Sequence, residues 1–207
     1  MSKIVIIDYG AGNLKSIKNM LRKAGHTEVI ISNQQDEITN ADKLILPGVG
    51  HFDYGMNKLH ESKLIPSLTH QVMKQKIPIL GICLGAQLMT QGSDEGEEKG
   101  LGWVNGKTVA FDKNKLSKQY KIPHMGWNEV NSQKDAKLFQ NMPQPSRFYF
   151  VHSYHLYMYN QEDVWLTTHY GYTFCAAYQH ENIFACQFHP EKSHKFGLQL
   201  IKNFVAL

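Results

Sequence analysis

The stretch PILGICLGAQLMT, residues 78–90, decides the fold. Residues 78–82 are an apolar run that reads as a buried strand, and residues 84–90 are compatible with a helix. Between them stands Gly81-Ile82-Cys83-Leu84-Gly85, the pattern of a nucleophile elbow with Cys in place of Ser. So sharp a strand-to-helix turn needs small residues two places before and two after the nucleophile. It lifts the side chain onto the C-terminal edge of a sheet, at a helix N-terminus whose partial positive charge favours thiolate. The plainer reading of the same five residues is an inert buried cysteine between packing glycines.

Outward from the elbow, residues 4–8, 28–31 and 43–46 are further short apolar runs, read as strands. Residues 13–24 place Leu14, Ile17, Met20 and Leu21 on one helical face before Gly25 stops the helix, and residues 53–60 and 64–75 also read as helices. Strands alternating with helices imply a parallel sheet covered on both faces. The character then changes. Residues 101–111, 127–131, 147–151, 164–168, 173–179 and 183–188 read as strands with few helices between them, an antiparallel extension. Residues 112–121 are a polar surface connection, and residues 194–206 bring Phe196, Leu200 and Ile201 together on a closing helix. No repeat or biased linker divides the 207 residues, so the expectation is a single α/β domain with a central, mostly parallel (mixed) sheet flanked by helices.

Composition narrows the function classes. Hydrophobic residues make up 42% and aromatics 11%, which excludes a disordered chain. No apolar run approaches a membrane span of ~18 residues, and residues 4–7 are too short for the core of a signal peptide. Three widely spaced cysteines make no disulfide framework, so a reduced, cytoplasmic protein is expected. The net charge of +4 is carried by dispersed lysines, and Arg22 and Arg147 are the only arginines. That scarcity argues against a nucleic-acid partner. Gly10-Ala11-Gly12 opens like a dinucleotide fingerprint, but the third glycine's position holds Lys15. Among eleven histidines no HExxH or CxxC spacing occurs, so neither metal nor cofactor is expected. Cys175 and Cys186 sit in apolar strand patterns and read as core thiols.

Two further motifs change the weight of the elbow. Phe188-His189-Pro190-Glu191-Lys192 follows an apolar strand. If that segment stays extended, His189 and Glu191 point the same way, and Pro190 holds it out of a helix. Cys, His and a carboxylate supply a nucleophile, a base and an orienting group; an exposed turn with a surface ion pair is the alternative. Pro47-Gly48-Val49-Gly50 ends the third strand, where a glycine-rich backbone could turn an N–H toward a developing oxyanion beside the N–H of Leu84. An ordinary strand-to-helix turn explains that segment equally well taken alone.

GICLGAQ around Cys83 and FHPEKS around His189 and Glu191 resemble the class I (triad) glutamine amidotransferase family over essentially the whole chain. DYGAGN at 8–13, PGVGHFDYGM at 47–56, PHMGWN at 123–128 and YFVHSYH at 149–155 are most similar to its subfamily of imidazole glycerol phosphate synthase glutaminase subunits. The resemblance implies hydrolysis of glutamine to glutamate and ammonia, with ammonia passing to a (β/α)8-barrel cyclase partner in a heterodimer. It implies Cys83, His189 and Glu191 as the triad and the N–H groups of Val49 and Leu84 as the oxyanion hole, formed after a peptide rearrangement tied to the partner's ligand. Gly48, Gly50, Gln87, Glu95, Ser153 and Tyr154 match substrate positions, and Asn13, Trp127, Tyr149 and Lys192 match positions facing the cyclase.

Two details depart from the commonest pattern. Ala86 stands where Met usually follows the second glycine of the elbow, and the tail reads HPEKSHKFG. Both are similar to paralogous glutaminases that supply a barrel partner in surface-sugar (amidino-sugar) biosynthesis, which leaves a second ammonia acceptor open. A non-enzymatic scaffold and a Cys–His–Glu peptidase are the contrasting classes. The complete triad speaks against the first, and Gln87 with the PGVG strand against the second.

Overall fold

Five apolar runs form the parallel part of the sheet. The computed structural model describes residues 2–207. Strands β1 (Ile4–Ile7), β2 (Val29–Ser32), β3 (Lys43–Leu46) and β4 (Ile79–Ile82) are ordered β2-β1-β3-β4. β11 (Ile183–Cys186), from the far end of the chain, lies parallel against β4. Their near-continuous hydrophobicity follows from burial on both faces. Alternate side chains divide between two cores. Val5, Ile7, Leu44 and Leu46 meet Phe52, Met56 and Leu59 of α3 (Phe52–Ser62) and Leu84 and Leu88 of α5 (Leu84–Leu88). Ile4, Ile6, Ile45 and Leu80 meet Ile17, Met20 and Leu21 of α1 (Leu14–Lys23), and Leu200, Ile201 and Phe204 of α6 (His194–Ala206).

Beyond β11 the sheet turns antiparallel. β10 (Tyr172–His180), β9 (Val164–Tyr170), β6 (His124–Ser132) and β7 (Arg147–His152) continue it in that order. β8 (Tyr154–Met158) leaves this path to pair with β5 (Gly106–Ala110) and, at one position, with β10. The mixed sheet and its antiparallel extension agree with the sequence reading. No described helix is long and apolar enough to cross a membrane.

Two elements differ from expectation and two more were not expected. The strand expected over 101–111 begins only at Gly106. The N–H groups of Leu101, Gly102 and Trp103 instead satisfy the carbonyls of Leu88, Thr90 and Met89 at 2.8–3.0 Å, where α5 ends and its last acceptors lack partners. The helix expected over 64–75 is α4 (Ile65–Thr69) followed by a π turn, His70–Lys74, whose Val72 carbonyl accepts from Asn182 Nδ2. Two elements carried too little periodicity to read: α2 (Gln35–Thr39), with Ile38 its single buried residue, and β8, separated from β7 by Ser153 alone.

The elbow is a tight joint. Cys83 has φ 52° and ψ −109°, a conformation non-glycine residues adopt only under constraint. A Cβ on Gly85 would lie 1.8 Å from the Leu46 carbonyl oxygen, and one on Gly81 would lie 2.9 Å from Ala86 Cα. Helix α5 therefore rests directly on the end of β3, and only glycine permits it. Gly85→Ala should cost about 3 kcal/mol or more in urea unfolding, since the overlap is with backbone rather than a movable side chain. A loss below about 1 kcal/mol would mean that the joint has slack.

Candidate active site

The ends of β3, β4 and β11, with β7, converge on one cleft. Cys83 is anchored by its N–H to the Cys186 carbonyl at 2.8 Å. Its sulfur lies 4.0 Å from the Val151 carbonyl and 3.8 Å from Gln187 Nε2. Past β11 the chain reaches His189, whose N–H donates to the Tyr149 carbonyl at 2.9 Å.

His189 Nδ1 pairs with Glu191 Oε1 at 2.7 Å, both side chains buried. The route differs from the extended pleat expected. Pro190–Lys192 is a 3-10 turn with proline at its first position, closed by Ser193 Oγ donating to the His189 carbonyl at 2.6 Å. Proline suits the first turn of a helix, where its missing N–H costs nothing, so Glu191 comes round a turn rather than along a strand. The carboxylate fixes the proton on Nδ1 and leaves Nε2 for the thiol. Nε2 is buried without an aligned hydrogen-bond partner, as catalytic contacts often are before substrate arrives. Burial alone would lower this imidazole. The adjacent Cys83 sulfur and the Glu191 carboxylate outweigh it and raise His189 to about 10.

The Pro47–Gly50 segment lies beside the elbow because β3 pairs with β4. Tyr9 Oη donates to the Pro47 carbonyl at 2.7 Å, and a Cβ on Gly48 would meet that hydroxyl at 2.5 Å. The Leu84 N–H, one of the two expected oxyanion donors, donates to the Gly48 carbonyl at 3.3 Å. An oxyanion reaches that donor only if the Gly48 carbonyl turns away.

The cleft, about 530 Å³, is lined by Val49, Gly50, Cys83, Leu84, Gln87, Glu95, Ser153, Tyr154, His189 and Lys192, all singled out from sequence, and by Pro123, Val151 and His152, which were not. Gly48 and Glu191 stand behind the lining. Gln87 spends its amide hydrogens on the Tyr154 carbonyl (3.2 Å) and Gln187 Oε1 (3.1 Å), so its own oxygen is left for a ligand donor. Glu95 accepts the Phe52 N–H at 2.8 Å, capping α3 while facing the cleft. A second hollow of about 400 Å³ beside β8 and β10 contains Cys175, a thiol that burial pushes up to about 12, and no base aligned on it. Burial likewise raises Cys186, in keeping with two inert core thiols.

A cysteine on a strained elbow, a buried His–Glu pair and a glycine strand at a parallel-sheet edge are the parts that thiol acyl transfer requires. Comparison with known proteins agrees: the family described as glutamine amidotransferase class-I matches residues 5–207. The chain belongs to this family. It is 52% identical to the imidazole glycerol phosphate synthase subunit HisH 2 of Methanococcus maripaludis, over 98% of both chains. To the subunit of the same name from Pseudomonas aeruginosa it is 48% identical over 99% of both. The HisH subunit of Leptospira borgpetersenii is 44% identical over 99% of this chain and 100% of its own. The fold matches a Thermotoga maritima PurLQS structure (TM-score 0.73, 15% identity, 100% and 99% of the two chains). It also matches the glutaminase domain of Trypanosoma brucei CTPS with bound acivicin (TM-score 0.66, 13% identity, 100% and 94%).

The glutamine amidotransferase has an aromatic, basic ledge beside the cleft mouth. Trp127 stacks on His194 at 5.5 Å and meets Tyr149 edge-on at 6.3 Å. Lys192 lies 5.8 Å over Tyr149 and Arg147 lies 6.0 Å from Trp127. Met125, Trp127 and Val49 leave 60%, 42% and 45% of their surface open. Asn13 instead caps α1, accepting from the Ser16 N–H at 3.3 Å, and α1 touches the Pro190–Lys192 turn. Met125, Arg147 and His194 escaped the sequence reading because surface apolar and basic residues carry no periodic signal.

His152 of the cleft wall and His124 behind it form a buried pair, Nε2 to Nδ1, at 3.0 Å. The Tyr154 carbonyl, 2.8 Å from His152 Nδ1, fixes that proton, so His152 Nε2 accepts from His124. Burial lowers His124 to about 4 and holds His152 well below its ordinary value. Among the described residues no group of three His, Cys, Asp or Glu side chains is arranged to hold a metal ion. The unfolded chain protonates His124 near pH 6.5, whereas the folded one resists until about 4, and burial holds His152 down in the same direction. Stability is therefore unpenalised above that window and falls as pH drops through it, by on the order of 3 kcal/mol for His124. In urea titrations between pH 7 and 4, His124→Gln should flatten this fall; an unchanged slope would show that the pair does not control acid sensitivity.

Proposed function

We propose that this protein is a glutaminase, hydrolysing glutamine to glutamate and ammonia and delivering the ammonia to a (β/α)8-barrel cyclase subunit, as the imidazole glycerol phosphate synthase subunits it resembles do. The observation that carries the reading is the buried Glu191–His189 pair aimed at Cys83 within a cleft whose wall presents Gln87. Cys83 sulfur attacks the glutamine amide carbon while His189 holds the thiol proton. His189 then gives that proton to the leaving ammonia and later activates the water that cleaves the thioester. Val49 and Leu84 N–H groups take the oxyanion after the Gly48 carbonyl has turned. Gly50, Glu95, Ser153 and Tyr154 contact the substrate. Trp127, Tyr149, Lys192 and Asn13 face the cyclase, on a ledge whose open aromatic surface suits a protein partner. Three free thiols suit a cytoplasmic setting.

A second reading is favoured by the variant elbow and by the numeral 2 in the names of the 52% and 48% relatives. In it the same glutaminase serves a paralogous barrel partner that makes amidino-sugars. Stimulation by a histidine-pathway cyclase from the same organism supports the first reading; stimulation only by a barrel protein encoded beside sugar-nucleotide enzymes supports the second.

Cys83→Ala should abolish glutamine hydrolysis in the assembled complex while leaving the unfolding midpoint and partner binding close to wild type. Normal turnover would remove Cys83 from its role. The isolated subunit, one oxyanion donor short, should turn over about 10²–10³-fold more slowly than the complex supplied with its acceptor. Equal rates would mean that the Gly48 contact is not a barrier.

A further inference from the structure

Gln187 is fully buried between Gln87 and Cys83, and no step above uses it. A buried amide must satisfy its hydrogens or cost stability. The polarity of this one is settled two residues away. The Tyr154 carbonyl can only accept, so the Gln87 atom 3.2 Å from it is Nε2. That same Nε2 lies 3.1 Å from Gln187, whose facing atom must then be Oε1. The remaining end of Gln187, its Nε2, faces Cys83 sulfur at 3.8 Å. Reversing Gln187 would oppose two donors, and reversing both amides would oppose Gln87 oxygen to a carbonyl.

The sulfur is the only acceptor for Gln187 Nε2 among the described residues. A neutral thiol is a weak acceptor, whereas a thiolate makes the stronger, charge-assisted bond. We propose that Gln187 is a catalytic residue of this site, a fixed N–H donor that selects the thiolate form of Cys83 and is itself oriented by Gln87 and the Tyr154 carbonyl. The inference rests on the glutaminase reading of Cys83 and adds a residue to it. Helix α5, five residues long, supplies little dipole of its own.

Other groups face the same sulfur. The Val151 carbonyl lies 4.0 Å from it, and His189, paired with Glu191, stands beside it. Tyr9 and Cys186 lie close enough to sense its charge, while His152, Glu95 and Lys192 line the cleft around it. None of them is altered by substituting Gln187, so a change in the pH response of Cys83 reports the amide.

The test is the rate of iodoacetamide alkylation at Cys83 of the full chain, site-resolved by mass spectrometry, from pH 5 to 10. Gln187→Leu should move the midpoint of the rate upward by about one pH unit, slow alkylation at neutral pH about tenfold, and leave the high-pH plateau within about twofold. Gln187→Met keeps the length of the side chain but has no N–H donor. It should move the midpoint by a similar amount and serves if the leucine variant does not fold. A wild-type midpoint in the variants that fold, or a slowing uniform in pH, overturns the proposal and leaves Gln187 a packing residue. Failure of Cys83 to react in the wild type at any pH overturns the nucleophile assignment together with this inference.

Discussion

The contact between Gly85 and the Leu46 carbonyl is the constraint on which the rest of the site depends. It seats α5 on the end of β3, and so forces the chain to reverse within one residue, Cys83, in a backbone conformation that only strong surroundings maintain. The hydrogen bond from the Cys83 N–H to the Cys186 carbonyl ties the same residue to β11. One joint thus fixes Cys83 relative to the two strands that carry the glycine loop and the histidine. A parallel sheet suits the purpose, because all its strands deliver their C-terminal ends to one edge.

Electrostatics complete what the backbone starts. The Glu191 carboxylate holds the imidazole, and together with the sulfur it overturns the burial that would otherwise discharge His189. A few residues away, burial without a carboxylate leaves His124 and His152 neutral. The difference is the Cys83 sulfur beside His189 together with the acidic side chain placed by the turn Pro190–Lys192. That turn also puts Lys192 at the cleft rim and passes Ser193 back beneath it, so the His189–Glu191 pair and the ledge share one short segment.

Much of this was legible in the residues. The elbow glycines, the β-branched runs and the stop at Gly25 each carry a local physical signal, and the parallel sheet followed from their alternation. Local signals ran out where tertiary contacts choose the conformation. Leu101–Trp103 look like a strand but spend their donors on the end of α5. Glu191 reaches His189, as the pairing of their types suggested, through a 3-10 turn that the extended-segment argument did not foresee. Gln187 stands two residues before His189 and had no sequence signal beyond being polar in an apolar strand. That mismatch was the clue available, and only the packing of Gln87 against it gives it meaning.

The hydrogen bond between Leu84 N–H and the Gly48 carbonyl has a kinetic consequence. With Leu84 as the oxyanion donor proposed above, an acceptor tethered within the chain competes with the substrate oxygen at a local concentration that never changes. Its departure is a first-order event, indifferent to how much glutamine is present. A rise in glutamine can fill the cleft without hastening that departure, so idle turnover is capped in kcat rather than hidden in KM.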